Sequence, residues 1–284
     1  MGVLGRLPFG LVSGLGKVFG SLVFTLACGE RRKTLESLRT AFSKNLSERQ
    51  VEGLARAVWI RLGQNLFEFV RWIPMTRGQI LAQVVREKGW EHLDKALSRG
   101  KGAFVVTGHL GNWELLGALL SAHHPTAGVA QKLYDSRFDG LITWMRSDKL
   151  KILILKRGLA LRGILQALQE NKIICALVDQ DSGNDGVFVP FFGKQAWTQS
   201  GVARIARKTG AALVPAFVVR GADGRFELQM SREIEVPHSK DFESDVLETV
   251  RRYTETIESC VKAYPDQWMW MHRRWKTRPE NEKD

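Results

Sequence analysis

Cysteine is scarce in this chain: Cys28, Cys175 and Cys260 are the only three among 284 residues, and no two of them form a CxxC pair. That excludes a disulfide framework and a thiolate metal site, and a reducing compartment is expected. Histidine is sparse too, at 6 residues, and no second histidine clusters with His109, which argues against a zinc hydrolase. Acidic residues are outnumbered, 30 against 42 basic ones, leaving a net charge of +12 and a pI near 9.8. There is no internal repeat, low-complexity linker or second core. A hydrophobic share of 44% and a charged share of 25% are those of an ordinary globular protein, long enough for one large domain or two small ones.

The positive charge calls for an acidic counterpart: nucleic acid, an anionic membrane surface, a phosphorylated substrate or an acidic carrier protein. No recognised nucleic-acid module accompanies it. An unbroken apolar run is also missing. Pro8–Cys28 is apolar but interrupted by Lys17 and rich in glycine, with Gly10, Gly14, Gly16 and Gly20, and the basic cluster Arg31-Arg32-Lys33 follows. Such a helix either just reaches across a hydrocarbon core or lies in the interface. The basic cluster favours a cytoplasmic body. Arg6 occupies the Ser/Thr position of a myristoylation motif, and no clean signal-peptide cleavage site is present, so residues 1–30 are expected to be a retained membrane anchor and 31–284 a single catalytic domain.

Ser47-Glu48-Arg49-Gln50 is a capping box opening a long helix that ends before Pro74, and a second helix is expected over Gln79–Leu97. From residue 102 the pattern alternates. Strands are predicted at Ala103–Val106, Ile152–Leu155, Ile173–Val178, Leu213–Val219 and Arg225–Met230. Helices are predicted near Asn112–Ala122, Asp135–Lys149, Leu159–Asn171, Thr198–Thr209 and Phe242–Ala263. This alternation predicts an α/β fold: one mainly parallel sheet flanked by helices, preceded by a helical N-terminal arm.

Chemistry concentrates at Thr107-Gly-His-Leu-Gly-Asn-Trp-Glu114, directly after a strand. Gly108 and Gly111 permit a turn, Asn112 is suited to cap the next helix, and Glu114 falls in its first turn. There Glu114 is expected to fold back toward the His109 imidazole. The alternative is a loop histidine beside an acidic residue that favours a helix start. Asp179-Gln180-Asp181 follows the run Ile173–Val178, at the strand end where open α/β sheets bind ligands. Phe188–Gly193 reads as an exposed-looking apolar loop, either packed at the surface or a wall for an acyl chain or the bilayer surface. The start of the helix carrying Arg204, Arg207 and Lys208 suits a phosphate or is simply solvated. Arg137 and Arg146 are surface residues unless one turns inward to Asp179. The ending Trp268-Met-Trp-Met-His-Arg-Arg-Trp-Lys276 is either an interfacial belt or a core-closing segment with cation–π contacts.

The block His109–Glu114 resembles the HX4(D/E) motif of glycerolipid-type acyltransferases. With Asp179-Gln180-Asp181, the Val187–Gly193 segment, Thr198–Gly210 and Trp268–Lys276, the chain resembles the bacterial lipid A biosynthesis acyltransferases over nearly its whole length. The resemblance implies that His109 and Glu114 form the catalytic pair, with Arg146, Asp179, Asn112 and Gly111 as substrate-binding residues. It implies acyl transfer from a thioester of acyl carrier protein to a hydroxyl of a phosphorylated glycolipid, a lipid A precursor, on the cytoplasmic face of the inner membrane. His109 would be the base, Glu114 would fix its tautomer, and N–H groups around Gly111–Trp113 or Arg146 would bind the oxyanion. A thiolate leaves readily, so neither metal nor cofactor is expected. The competing readings are acylation of another glycolipid or lysophospholipid from acyl coenzyme A, a metal-dependent hydrolase built on His109, Glu114 and Asp179, and a non-catalytic basic binding protein.

Overall fold

The computed structural model describes residues 7–130, 136–156, 160–181, 183 and 185–280. The chain begins with three helices, α1 (Phe9–Leu26), α2 (Cys28–Phe42) and α3 (Glu48–Trp72), then runs through α4 (Arg77–Leu81), β1 (Val84–Lys88), α5 (Trp90–Leu97), β2 (Ala103–Thr107), α6 (Trp113–His123) and β3 (Thr126–Ala130). It continues through α7 (Ser136–Trp144), a single π turn at Met145–Lys149, β4 (Leu153–Lys156), α8 (Ala160–Gln169) and β5 (Ile173–Leu177). A hairpin of β6 (Gly186–Phe191) and β7 (Lys194–Gln199) precedes α9 (Gly201–Thr209), β8 (Ala212–Arg220), β9 (Phe226–Met230) and α10 (Phe242–Ala263).

The main sheet has the order β1-β9-β8-β2-β5-β3-β4. Its pairings are parallel except β8–β9, so the expected mainly parallel α/β sheet is present. Both faces of its centre are covered. Phe104 and Val106 of β2 enter one core with α8, α9 and α10, while Ala103 and Val105 enter the other with α5 and α6. That double burial is why β2 and β8 read as continuous apolar runs rather than alternating ones.

Two sequence expectations are corrected, and one strand is added. The helix over Gln79–Leu97 is instead α4, β1 and α5. Thr76 and Gln79 cap the short α4, and the β-branched Val84 pairs with Phe226 of β9 at the sheet edge, a bulge at Val85 separating it from the Arg86–Lys88 pairings. Gly89 then turns the chain at φ 91°, where a Cβ would meet the Met230 carbonyl oxygen at 2.3 Å. The apolar loop at Phe188–Gly193 is the β6–β7 hairpin, with Val189 and Phe191 buried. Its two-residue turn, Phe192 (φ 50°) and Gly193 (φ 73°), has the positive φ pair that suits strand twist. Strand β3 had no clear signal in its short, small-residue stretch.

The glycines of the arm have a packing role. On α1, Val12, Ser13, Gly16 and Gly20 face α3. A Cβ at Gly20 would meet the Trp59 carbonyl oxygen at 2.2 Å, and one at Gly63 would meet that of Gly16 at 2.3 Å. Only backbone-to-backbone approach fits there, and Gln64 Nε2 donates to Ser13 Oγ at 2.6 Å within the seam. The opposite face carries Leu11, Leu15, Val18 and Leu22 at heptad spacing, with Phe19 and Leu26, all exposed. At 18 residues and a mean hydropathy of 1.6, α1 is long and apolar enough to cross a membrane, yet one of its faces is committed to α3.

Candidate active site

Strands β2 and β5 are parallel neighbours in which Thr107 pairs with Leu177. Two residues beyond that pair on each strand come His109 and Asp179, so the register itself brings them together at the carboxyl end of the sheet. The ring Nδ1 of His109 lies 2.8 Å from Asp179 Oδ1, and the His109 backbone N–H donates to Asp179 Oδ2 at 2.8 Å. The indole of Trp268 donates to the same Oδ2 at 2.8 Å. Gly108 makes room for this contact, since a Cβ there would lie 2.9 Å from Asp179 Cγ.

A carboxylate only accepts, so the ring proton sits on Nδ1 and leaves the Nε2 lone pair available. Burial pushes the Asp179 carboxyl up, but its electrostatic attraction to the imidazole and the hydrogen bonds from His109 and Trp268 outweigh it and hold the group below its ordinary value. Asp179 is buried, whereas the His109 side chain remains 24% exposed. The result is an oriented, accessible base.

The turn carrying His109 is pinned from several elements. Gly111 adopts φ 63°, and a Cβ there would stand 2.0 Å from the Val218 carbonyl oxygen. Its N–H donates to Gln267 O at 2.9 Å, the Asn112 N–H donates to Val218 O at 2.8 Å, and Asn65 Nδ2 of α3 donates to Gly111 O at 2.7 Å. Asn112 caps α6 as expected, its Oδ1 accepting from Leu115 N–H at 3.0 Å. The Gly111 and Asn112 N–H groups are therefore consumed and do not serve an oxyanion. The N–H groups of Trp113 and Glu114 at the start of α6 have no acceptor among the described residues.

Glu114 departs from expectation. Its carboxylate receives Arg146 Nε at 3.0 Å and a second Arg146 N–H, a bidentate pair. It points across to the π turn after α7, away from the ring nitrogen that Asp179 occupies. Nor does Arg146 reach Asp179. Burial lowers the Arg146 pKa, but Glu114 outweighs it and raises the group overall. Beside the pair, burial pushes the Cys175 thiol up to about 12, so it stays protonated. The side chain of Arg137 lies outside the described residues.

Sequence reasoning missed the support around this centre. Glu68 of α3 and Arg220 at the end of β8 form a fully buried ion pair at 2.6 Å, and Arg220 also donates to Asn65 Oδ1 at 3.2 Å. The tail is a core-closing segment rather than a belt: Trp268, Trp270 and Arg274 are buried. The Arg274 guanidinium stands 5.2 Å over the Phe191 ring and donates to Trp197 O at 2.6 Å. His272 Nε2 accepts the Asp181 N–H at 3.0 Å, and burial lowers its pKa. On α9, Arg204 and Arg207 are taken by Glu243 and Asp245, both at 2.7 Å. Among the described residues, no three His, Cys, Asp or Glu side chains stand together as a metal site, and Glu114 is turned away from His109 and Asp179.

An Asp-oriented histidine at the carboxyl edge of an α/β sheet is general-base machinery without a protein nucleophile of its own. Comparison with known proteins agrees with that chemistry. The chain is 28% identical to the lipid A biosynthesis lauroyltransferase of Escherichia coli K12 over 279 residues, covering 97% of this chain and 88% of that enzyme. It is 27% identical to the palmitoleoyltransferase of the same strain over 284 residues, 98% of this chain and 89% of the relative. It is also 28% identical to a phosphatidylinositol mannoside acyltransferase of Mycobacterium tuberculosis over 192 residues, 66% of this chain and 58% of that enzyme. The sequence profile of one family matches residues 1–277, and by that match this chain belongs to the bacterial lipid A biosynthesis acyltransferases.

Proposed function

We propose that the protein transfers a fatty acyl chain from an acyl carrier protein thioester to a hydroxyl of a phosphorylated glycolipid, a lipid A precursor, at the cytoplasmic face of the inner membrane. The observation that carries this reading is the His109–Asp179 contact with Nε2 left accessible. His109 Nε2 takes the proton of the acceptor hydroxyl while Asp179 holds Nδ1–H and balances the imidazolium. The oxygen attacks the thioester carbonyl and its C–O bond forms. The tetrahedral oxyanion is held by the unpaired Trp113 and Glu114 N–H groups at the positive end of α6. Collapse breaks the C–S bond, and the thiolate takes the proton back from His109.

In this scheme Gly111, Asn112 and Asp179 hold the His109 turn. Among the described residues Arg146 keeps one Nη without a partner, and this group is assigned to an oxygen of the substrate. The apolar stripe of α1 rests in the membrane surface, with Lys17 exposed beside it. The net charge of +12 suits both an acidic carrier protein and lipid phosphates.

A second reading, acylation of another glycolipid, is favoured by the likeness to the mannoside acyltransferase. The test incubates the purified protein in vesicles with acyl carrier protein or coenzyme A thioesters and each acceptor, with products read by mass spectrometry. His109→Ala is expected to lose on the order of 10²–10⁴ in rate, and near-wild-type turnover by that variant overturns the proposal.

A further inference from the structure

We infer that Trp268 is a positioning residue of the acyl transfer: its indole N–H holds one oxygen of Asp179 and leaves the other aimed at the imidazole of His109. The inference rests on the His109–Asp179 reading. Rotation of an aspartate carboxyl about its terminal torsion is soft, so its donors must fix the plane of the group. Oδ1 faces His109 Nδ1 at 2.8 Å, while Oδ2 receives both the His109 backbone N–H and the Trp268 indole at 2.8 Å. The backbone donor belongs to the same turn as the base and moves with it. Trp268 is the donor that comes from a different part of the fold.

The indole is rigidly placed. Trp268 is fully buried, edge-on to Trp270 with ring centroids 4.6 Å apart and tilted on Phe191 at 5.4 Å. Its backbone bridges Leu110, and the Met269 N–H donates to His109 O at 3.1 Å. The segment after α10 therefore grips the base's backbone and the base's carboxylate at once. The charged or titratable groups that interact with Asp179 are His109 from the end of β2 and His272 and Arg274 from the tail, the last two also facing Asp181. Trp268 contributes a neutral donor among them. Removing its N–H changes orientation and hydrogen bonding while every formal charge stays in place.

The test replaces Trp268 in the full-length protein by 3-benzothienylalanine, which keeps the ring shape and exchanges N–H for sulfur. The expected result is a fall of about tenfold in kcat, the effect of one hydrogen bond to a charged group, with KM for the acyl thioester unchanged. The acid limb of the kcat–pH profile is expected to move to higher pH, because a carboxylate with one donor fewer holds the imidazolium more tightly. Trp268→Phe, which also loses packing, is expected to show the same movement together with a lower Tm. In an Asp179→Ala background the benzothienyl change should add no further loss. An unmoved acid limb, or an equal loss in the Asp179→Ala background, overturns the role of Trp268. Full activity in Asp179→Ala alone overturns the underlying reading instead.

Discussion

Replacing Asp179 by Asn is the most informative single change to this centre. Asn keeps the shape of the side chain and can present its one oxygen at the Oδ2 position, where it accepts the His109 backbone N–H and the Trp268 indole, each now 2.8 Å away. Its NH₂ group then faces His109 Nδ1 at the position of Oδ1, also 2.8 Å away in the native contact. Two donors cannot face each other, so the ring must present a lone pair on Nδ1 and carry its proton on Nε2. The base is then blocked by its own tautomer. The equivalent Asp→Asn change in serine proteases costs about 10⁴, and a loss of about 10³–10⁴ in kcat, or ~4–5.5 kcal/mol, is expected here. Folding stability at neutral pH should change by only about 1–2 kcal/mol, since both Oδ2 donors keep an acceptor. The assay is acyl transfer from a defined thioester, paired with ¹⁵N chemical shifts of the imidazole. Because the Asp179 carboxyl titrates below its ordinary value in the folded protein, its stabilising contribution is complete above about pH 4 and disappears as pH falls through the folded value. The variant should lose that acid-side dependence. Turnover within about tenfold of wild type, or a ring still protonated on Nδ1, refutes the reasoning.

Other outcomes follow from the same geometry. Glu114→Gln should leave the Nδ1–H tautomer of His109 intact in the ¹⁵N spectrum, because Glu114 serves Arg146 and not the ring. Glu68→Ala should lower stability by about 3–5 kcal/mol in urea titrations, because it strands the buried Arg220 charge. Gly20→Val should push α1 off α3 through the Trp59 carbonyl, exposing the α1–α3 seam to proteolysis near residues 20–30 with native-like far-UV CD retained in the α/β body. Iodoacetamide should label the exposed Cys28 first, leaving Cys175 and Cys260, both pushed up to about 12 by burial, unmodified until the protein unfolds.

The centre of the sheet was legible because β2 and β8 are buried on both faces and read as apolar runs, and α10 because its periodicity starts at a capping aspartate, Asp241. A local signal also located the capping box at Ser47, whereas the one at Thr76 opens only the short α4 in place of the start of the long helix expected from Gln79. The partner of His109 was misassigned for a physical reason. Glu114 is five positions away along the chain, whereas Asp179 is seventy away yet sits on the adjacent strand at matching register. Spacing along a chain reports helical and turn neighbours; it does not report which strands pair. The Phe188–Gly193 stretch was misread because a two-residue turn at Phe192-Gly193 lacks the Asn-Gly signature, and its positive φ is held by the surrounding packing. Trp268 was visible as part of an aromatic tail, but its function depends on one hydrogen bond across the fold.

Within one turn of α3, Gly63 touches α1 and Asn65 holds the Gly111 carbonyl of the histidine turn, with Glu68 reaching Arg220 one turn further on. Only the two packed helices α1 and α3, on the order of 20 Å together, thus separate the apolar outer face of α1 from the element that carries the base. The two sides share one rigid strut with no loop between them. On the proposed seating of α1 in the membrane surface, whatever fixes the depth of α1 is therefore expected to fix the height of His109 as well.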